Sequence, residues 1–151
     1  MPKNLKQSLF NHCSQLLLQR MEEAKAAMLA AQESANSNEK SSMGDKYETG
    51  RAMSQLERDM HAKQLGKLQE EYQKLIRVDL QTAHKIVETG ALVRTETQVY
   101  WVAISLGQVI LGEEKIMVVS PLSPIAQSFL GKKQKDTFTV NGKTQTIKSV
   151  A

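Results

Sequence analysis

The sequence predicts an α+β protein: an N-terminal antiparallel coiled-coil hairpin of helices, then a small, mostly antiparallel β domain with one short helix. Three observations predict it. Residues 5 to about 34 and 45 to about 77 are two long runs of helix-forming residues that contain no proline. A short stretch rich in Ser and Asn separates them. Beyond about residue 84 the pattern changes to short β-type runs punctuated by glycine.

The first helix is set by its apolar spacing. Leu17, Met21, Ala24, Met28 and Ala31 recur at intervals of 4-3-4-3, the seam of a coiled coil. Thirty residues at 1.5 Å each give an arm of roughly 45 Å. Residues 34 to 44 are expected to break the helix, because Ser and Asn side chains compete for backbone hydrogen bonds and Gly44 adds freedom. The return arm starts at Asp45. Met53, Leu56 and Met60 are expected to open its seam, and Leu65, Leu68, Tyr72 and Leu75 to continue it after a jog near residues 61 to 64. Gly66, inside this arm, has no evident reason in the sequence. The boundaries expected are 1–78 for the hairpin, with its tip at about 34–48, and 79–151 for the β domain.

In the second part, strands are expected over Ala91–Thr95, Gln98–Ser105, Gln108–Leu111, Lys115–Val119, Thr137–Val140 and Lys143–Ser149. Asn141-Gly142 between the last two is a two-residue hairpin turn. Ser123-Pro124-Ile125-Ala126 followed by Phe129-Leu130-Gly131 describes a two-turn helix: a serine cap, proline at the first position and a glycine stop.

Composition narrows the classes of function. The chain has 151 residues, of which 40% are apolar and 24% charged. Its net charge of +4 permits contact with nucleic acid or an acidic surface but does not specify either. Cys13 is the single cysteine. It excludes an intramolecular disulfide and fits a reducing compartment. The apolar run Val99–Leu106 is far short of the roughly 18 residues a membrane span needs. The start carries no secretory signal, so a cytoplasmic location and no membrane partner are expected. His12 beside Cys13 lacks further ligands at metal spacing. No serine lies in a nucleophile elbow, and there is no glycine-rich phosphate loop.

Asp45 and Glu48 have two readings. Three residues apart, they lie on one face of a first helical turn, where two carboxylates could be presented to a metal. The same spacing is that of a capping box, with Asp45 at the cap and Glu48 at the third helical residue. Arg51, Arg58, Lys63 and Lys67 read as a solvated face paired with acids such as Glu57 and Asp59. The stretch Gly131-Lys132-Lys133-Gln134-Lys135 reads as a solvated turn. Trp101 and Phe129 are either core residues or exposed docking anchors.

A hairpin with Gly44-Asp45-x-x-Glu48 at its tip resembles the bacterial GreA/GreB transcript-cleavage factors. So does the stretch Ser123-Pro124-Ile125-Ala126-x-x-Phe129-Leu130-Gly131-Lys132-x-x-x-Asp136. The order of parts agrees along nearly the whole chain. The resemblance implies an FKBP-like C-terminal domain and a transcription elongation factor that binds RNA polymerase. It also implies a tip that enters the secondary channel, where Asp45 and Glu48 assist the polymerase's own Mg²⁺ in cleaving backtracked nascent RNA. On that view the protein is not an enzyme by itself, holds no cofactor stably and is an elongated monomer. Prolyl-isomerase activity is not expected, because Tyr100 and Trp101 are strand neighbours and point to opposite faces.

The sequence departs from the family at Thr49, Arg51-Ala52 and Lys135. The first two favour, as an alternative, a channel regulator that does not stimulate cleavage. From a different class, a dimeric coiled-coil adaptor unrelated to polymerase also accounts for the seams.

Overall fold

The computed structural model describes the backbone of residues 2–39 and 44–151 and the side chains of residues 5–36 and 48–151. Two long helices, α1 (Pro2–Glu39) and α2 (Gly44–Ile76), come first. They are followed by β1 (Leu92–Thr95), β2 (Val99–Val102), β3 (Gly107–Leu111), β4 (Glu114–Val119), α3 (Pro124–Phe129), β5 (Thr137–Val140) and β6 (Lys143–Val150). The chain divides into one unit of Gln15–Tyr72 and another of Met1–Ser14 with Gln73–Ala151. The first fourteen residues therefore go with the sheet.

In the unit Gln15–Tyr72, α1 buries the face its spacing predicts. Leu17, Ala24 and Ala31 are buried at intervals of seven, with Met21 and Met28 half-buried between them. The expected break at residue 34 is overturned, because α1 is helical through Glu39. Tertiary contacts override the local preference of Ser and Asn. Ala35 is buried, and Ser54 of α2 donates to Ser34 Oγ at 3.1 Å.

The α2 seam also differs from expectation. Met53, Leu56 and Met60 are 55%, 64% and 49% exposed. A line of buried and half-buried positions runs instead through Arg51, Ser54, Arg58, His61, Leu65, Leu68 and Tyr72, at alternating intervals of three and four. The heptad register set by Leu65, Leu68 and Tyr72, extended toward the N-terminus of α2, lands on polar residues. The jog near residue 61 is thus the place where an outward apolar stripe ends and the apolar part of the seam begins. A Cβ built at Gly66 would meet nothing within 4 Å. Gly66→Ala should therefore raise stability by about 1 kcal/mol, the helix-interior difference between the two residues. Thermal unfolding followed by far-UV circular dichroism checks this as a higher midpoint.

In the other unit, six strands form one sheet in the order β3-β4-β2-β1-β6-β5. Only β2 and β4 pair in parallel; the remaining named pairs are antiparallel. Register assigns the faces. Val93, Tyr100, Val102, Val119, Phe138 and Ile147 share one face with Ala126 and Phe129 of α3 in a single buried cluster. The aromatic rings meet edge to face, Phe129 lying 5.2 Å from Tyr100 and 5.0 Å from Phe138 between centroids. Trp101 pairs with Leu92 and with Val118, so these three occupy the opposite face, and all are buried. Leu9, Cys13 and Leu75 are buried in the same unit.

The expected strand Gln98–Ser105 ends earlier, at Val102. The Ala103 N–H still donates to Val119 O, but the chain then turns so that Gly107, at φ +94°, can open β3. The Ser123 hydroxyl caps α3 by accepting from the Ala126 N–H, with Pro124 next in the chain. Asn141 at φ +52° and Gly142 at φ +77° form the primed turn that their pairing predicts.

The Cys13 thiol is fully buried, and burial raises its pKa to about 11. A neutral, inaccessible thiol is a poor nucleophile. A maleimide at neutral pH should leave the native protein unlabelled and modify Cys13 once denaturant is added, as read by mass spectrometry.

Candidate functional site

Gly44 opens α2, which makes Asp45 its second residue and Glu48 its fifth. A separation of three residues places the two about 60° apart around the helix, on one side of its N-terminal end. The capping box requires Asp45 just before the helix rather than inside it. Glu48 is exposed. The Asp45 side chain, and residues 40–43 of the expected tip, lie outside the described residues. The partial positive charge at the N-terminal end of a helix suits two acidic residues there. As anionic oxygen donors on one short face, they have the chemistry of ligands for a hard divalent cation. Among the described residues, no group of three or more His, Cys, Asp or Glu could hold a metal ion.

One turn beyond Glu48 the seam of the hairpin is polar. Arg51 is half-buried, Ser54 is buried against Ser34, and Arg58 Nη2 contacts Asp59 Oδ1 at 2.7 Å. Arg51 and Arg58 thus stand at half-buried seam positions, while the expected pairing of Arg58 with Asp59 is present on a partly exposed side chain. Lys63 and Lys67 are exposed, as a solvated face requires.

Neither Trp101 nor Phe129 is a docking anchor, since both are fully buried. Tyr100 and Trp101 do point to opposite faces, and the ring cluster of Tyr100, Phe129 and Phe138 packs on itself. The Gly131–Lys135 stretch is a turn held from within: Asp136 Oδ2 accepts from the Lys133 N–H at 2.9 Å, and the Lys135 N–H donates to Ile147 O. Lys135 has φ +79°, a left-handed backbone that favours glycine.

A polar cluster in the sheet unit has no signature in the sequence. Lys6 is buried, and its Nζ donates to the Thr82 carbonyl at 3.1 Å. Desolvation lowers its pKa, against the opposing field of Asp79. The Asp79 carboxylate accepts from the Thr82 hydroxyl and from the Gln81 and Thr82 amides, which holds its pKa below the usual range. His84 Nδ1 lies 3.3 Å from Glu88 Oε2. A Cβ at Gly90 would come within 3.1 Å of the Asp79 carbonyl and 3.2 Å of His84 Nε2, at a φ of +96° that disfavours other residues, so a side chain there is both crowded and strained. The cluster ties the start of α1 to the connector before β1. Its partners are 76 residues apart, which is why local patterning does not reveal it.

No helix among the described residues is long and apolar enough to cross a membrane. No protein-family profile matches the chain, and no curated protein matches it. Among solved structures, it is similar to the structure of the transcription factor Gfh1, with 15% sequence identity over 91% of this chain and 92% of that chain and a TM-score of 0.38. The functional reading therefore rests on the residues of this chain.

Proposed function

We propose that the protein is a Gre-like transcription elongation factor. It binds RNA polymerase, inserts the turn of its hairpin into the secondary channel and stimulates cleavage of backtracked RNA through Asp45 and Glu48. The observation that carries this reading is the position of the two residues. They are the second and fifth residues of a 33-residue helix, and Glu48 faces solvent. At 1.5 Å per residue α2 is about 50 Å long, enough to carry a turn deep into a large partner. The motifs around Ser123-Pro124 and Gly131-Lys132 support the same family reading.

The chemistry fits the residues. Mg²⁺ in the polymerase active centre, when bound there, polarises a phosphodiester and lowers the pKa of a bound water. Asp45 and Glu48 would add anionic oxygen donors and accept hydrogen bonds from that water, holding it for attack. On this reading the activity belongs to the complex: the polymerase supplies the metal and this chain supplies the two carboxylates.

A second reading, a channel regulator without cleavage, is favoured by Arg51. It follows Glu48 by three residues on the same helix and lowers the net negative charge of this region. A stalled, backtracked elongation complex of the cognate polymerase with Mg²⁺ separates the readings. Accelerated release of short RNA supports the first. Binding without acceleration moves the assignment to the regulator. Absence of binding removes polymerase, and a solution mass of twice the monomer then identifies the coiled-coil adaptor.

A further inference from the structure

The hairpin unit carries a second surface that the carboxylates do not use. We infer that the side of α2 running from Met53 to Lys67 is a docking face for an amphipathic helix of a partner protein, with the acidic end of that helix at Lys67. Residues 53, 60 and 67 are seven apart and so stand nearly in line along one side of α2. Met53, Leu56 and Met60 put three large apolar side chains into solvent within eight residues. A helix face that only meets water has no use for such a stripe.

At its Lys67 end the stripe runs into a groove of about 480 Å³ between the two helices. The floor of the groove is made by Ala24, Ala27 and Leu68 with the half-buried His61, and the exposed Arg20 and Lys67 stand at its edge. Arg20 and Lys67 are exposed, and neither has an ion-pair partner among the described residues. The rim carboxylate, Glu23, is engaged by Gln19 Nε2 at 3.4 Å. The arrangement takes an apolar side chain on the floor and a carboxylate between the two free cations.

The apolar content favours protein over nucleic acid. No Phe, Tyr or Trp lines the groove to stack on a base, and the methionine stripe would be idle against phosphates. Flexible methionines suit a partner's apolar side chains. A second copy fits less well, because a two-fold pairing centred on Met60 sets Lys67 against Met53 instead of an acid. The face belongs to α2 whether or not the carboxylates act in cleavage.

The test uses the full chain, labelled with ¹³C at its methionine methyls. Signals are assigned with Met53→Leu and Met60→Leu, both at exposed sites. One probe is a synthetic amphipathic helix with Leu at i, i+3, i+4 and i+7 and Glu at one end; its control carries Lys in place of Glu. The acidic peptide is expected to shift Met53 and Met60 but not Met117 of the sheet unit. The Lys peptide should shift neither. The double variant Arg20→Glu, Lys67→Glu should weaken binding at least tenfold, and added salt should weaken it in the wild type. The proposal is overturned if both peptides bind equally or if neither shifts the two signals. It is equally overturned if a single-stranded RNA oligonucleotide shifts them instead, or if they move on dilution alone with a sedimenting dimer. Cleavage plays no part in this readout, so its outcome is independent of the transcript-cleavage reading.

Discussion

Phe129→Ala should destabilise the sheet unit by about 3–5 kcal/mol, the usual cost of deleting a buried aromatic ring. The ring is fully buried, and it is the point where α3 is fastened to the sheet. Removing it forfeits two edge-to-face contacts, with Tyr100 and Phe138, and leaves a void beside Ala126, which is itself fully buried. Against a total stability of roughly 5–15 kcal/mol, this is a large fraction. The single tryptophan makes the effect measurable by region. Trp101 is fully buried in the sheet unit, and Gln15–Tyr72 contains no tryptophan, so its fluorescence reports the sheet unit. In urea, the midpoint of the fluorescence transition should fall with little change in slope. Phe129→Leu, which keeps most of the volume, should lose much less. A loss below about 1 kcal/mol for the alanine variant would mean that α3 is held by its cap and Ala126 alone.

The same residues explain how much of the fold is legible in the sequence. The α3 segment is legible because its signals are local: a serine cap, a proline and a stopping glycine lie within nine residues. The Asn141-Gly142 turn is legible for the same reason, since a positive φ at both residues has few chemical solutions. The α1 seam is legible because its apolar residues coincide with its buried ones. In the first half of α2 this coincidence fails. The residues that face α1 are Ser54, Arg58 and His61, while Met53, Leu56 and Met60 face out. A reading by hydrophobicity therefore assigns the wrong face. Only the register carried back from Leu65, Leu68 and Tyr72 corrects it, and that same discrepancy marks the docking face. The helix through Ser34–Glu39 is illegible locally because Ala35 and the Ser34–Ser54 hydrogen bond stabilise it from another element. As for the candidate site, the spacing of Asp45 and Glu48 is plain in the sequence. Whether the pair caps a helix or lies within one depends on where α2 starts, a matter of one or two residues that spacing does not resolve.

Asp45→Asn and Glu48→Gln should each abolish most of the stimulation of RNA cleavage while leaving polymerase binding within about twofold of wild type. Both substitutions keep the shape of the side chain and remove its charge, so they separate electrostatics from packing. Losing one preorganised electrostatic partner of a transition state costs on the order of 10²–10³ in rate. A fall of about 100-fold in the stimulated rate is therefore expected for each variant. If the two carboxylates hold one ion and one water together, the double variant should be little worse than either single one, because members of a unit do not add. Additive losses would instead assign them to separate tasks. Stability should barely move. Glu48 is exposed, and neutralising a carboxylate near a helix N-terminus costs only about 0.3–1 kcal/mol. Circular dichroism on both variants checks that the helices persist. Polymerase association, measured on the same preparations, separates a lost reaction from a lost complex. Full stimulation by both variants would sink the assignment of the carboxylates. A wild-type protein that binds without stimulating would leave the hairpin as a channel regulator, with Arg51 the residue to change first. Arg51→Glu, by restoring negative charge one turn from Glu48, should then begin to confer stimulation.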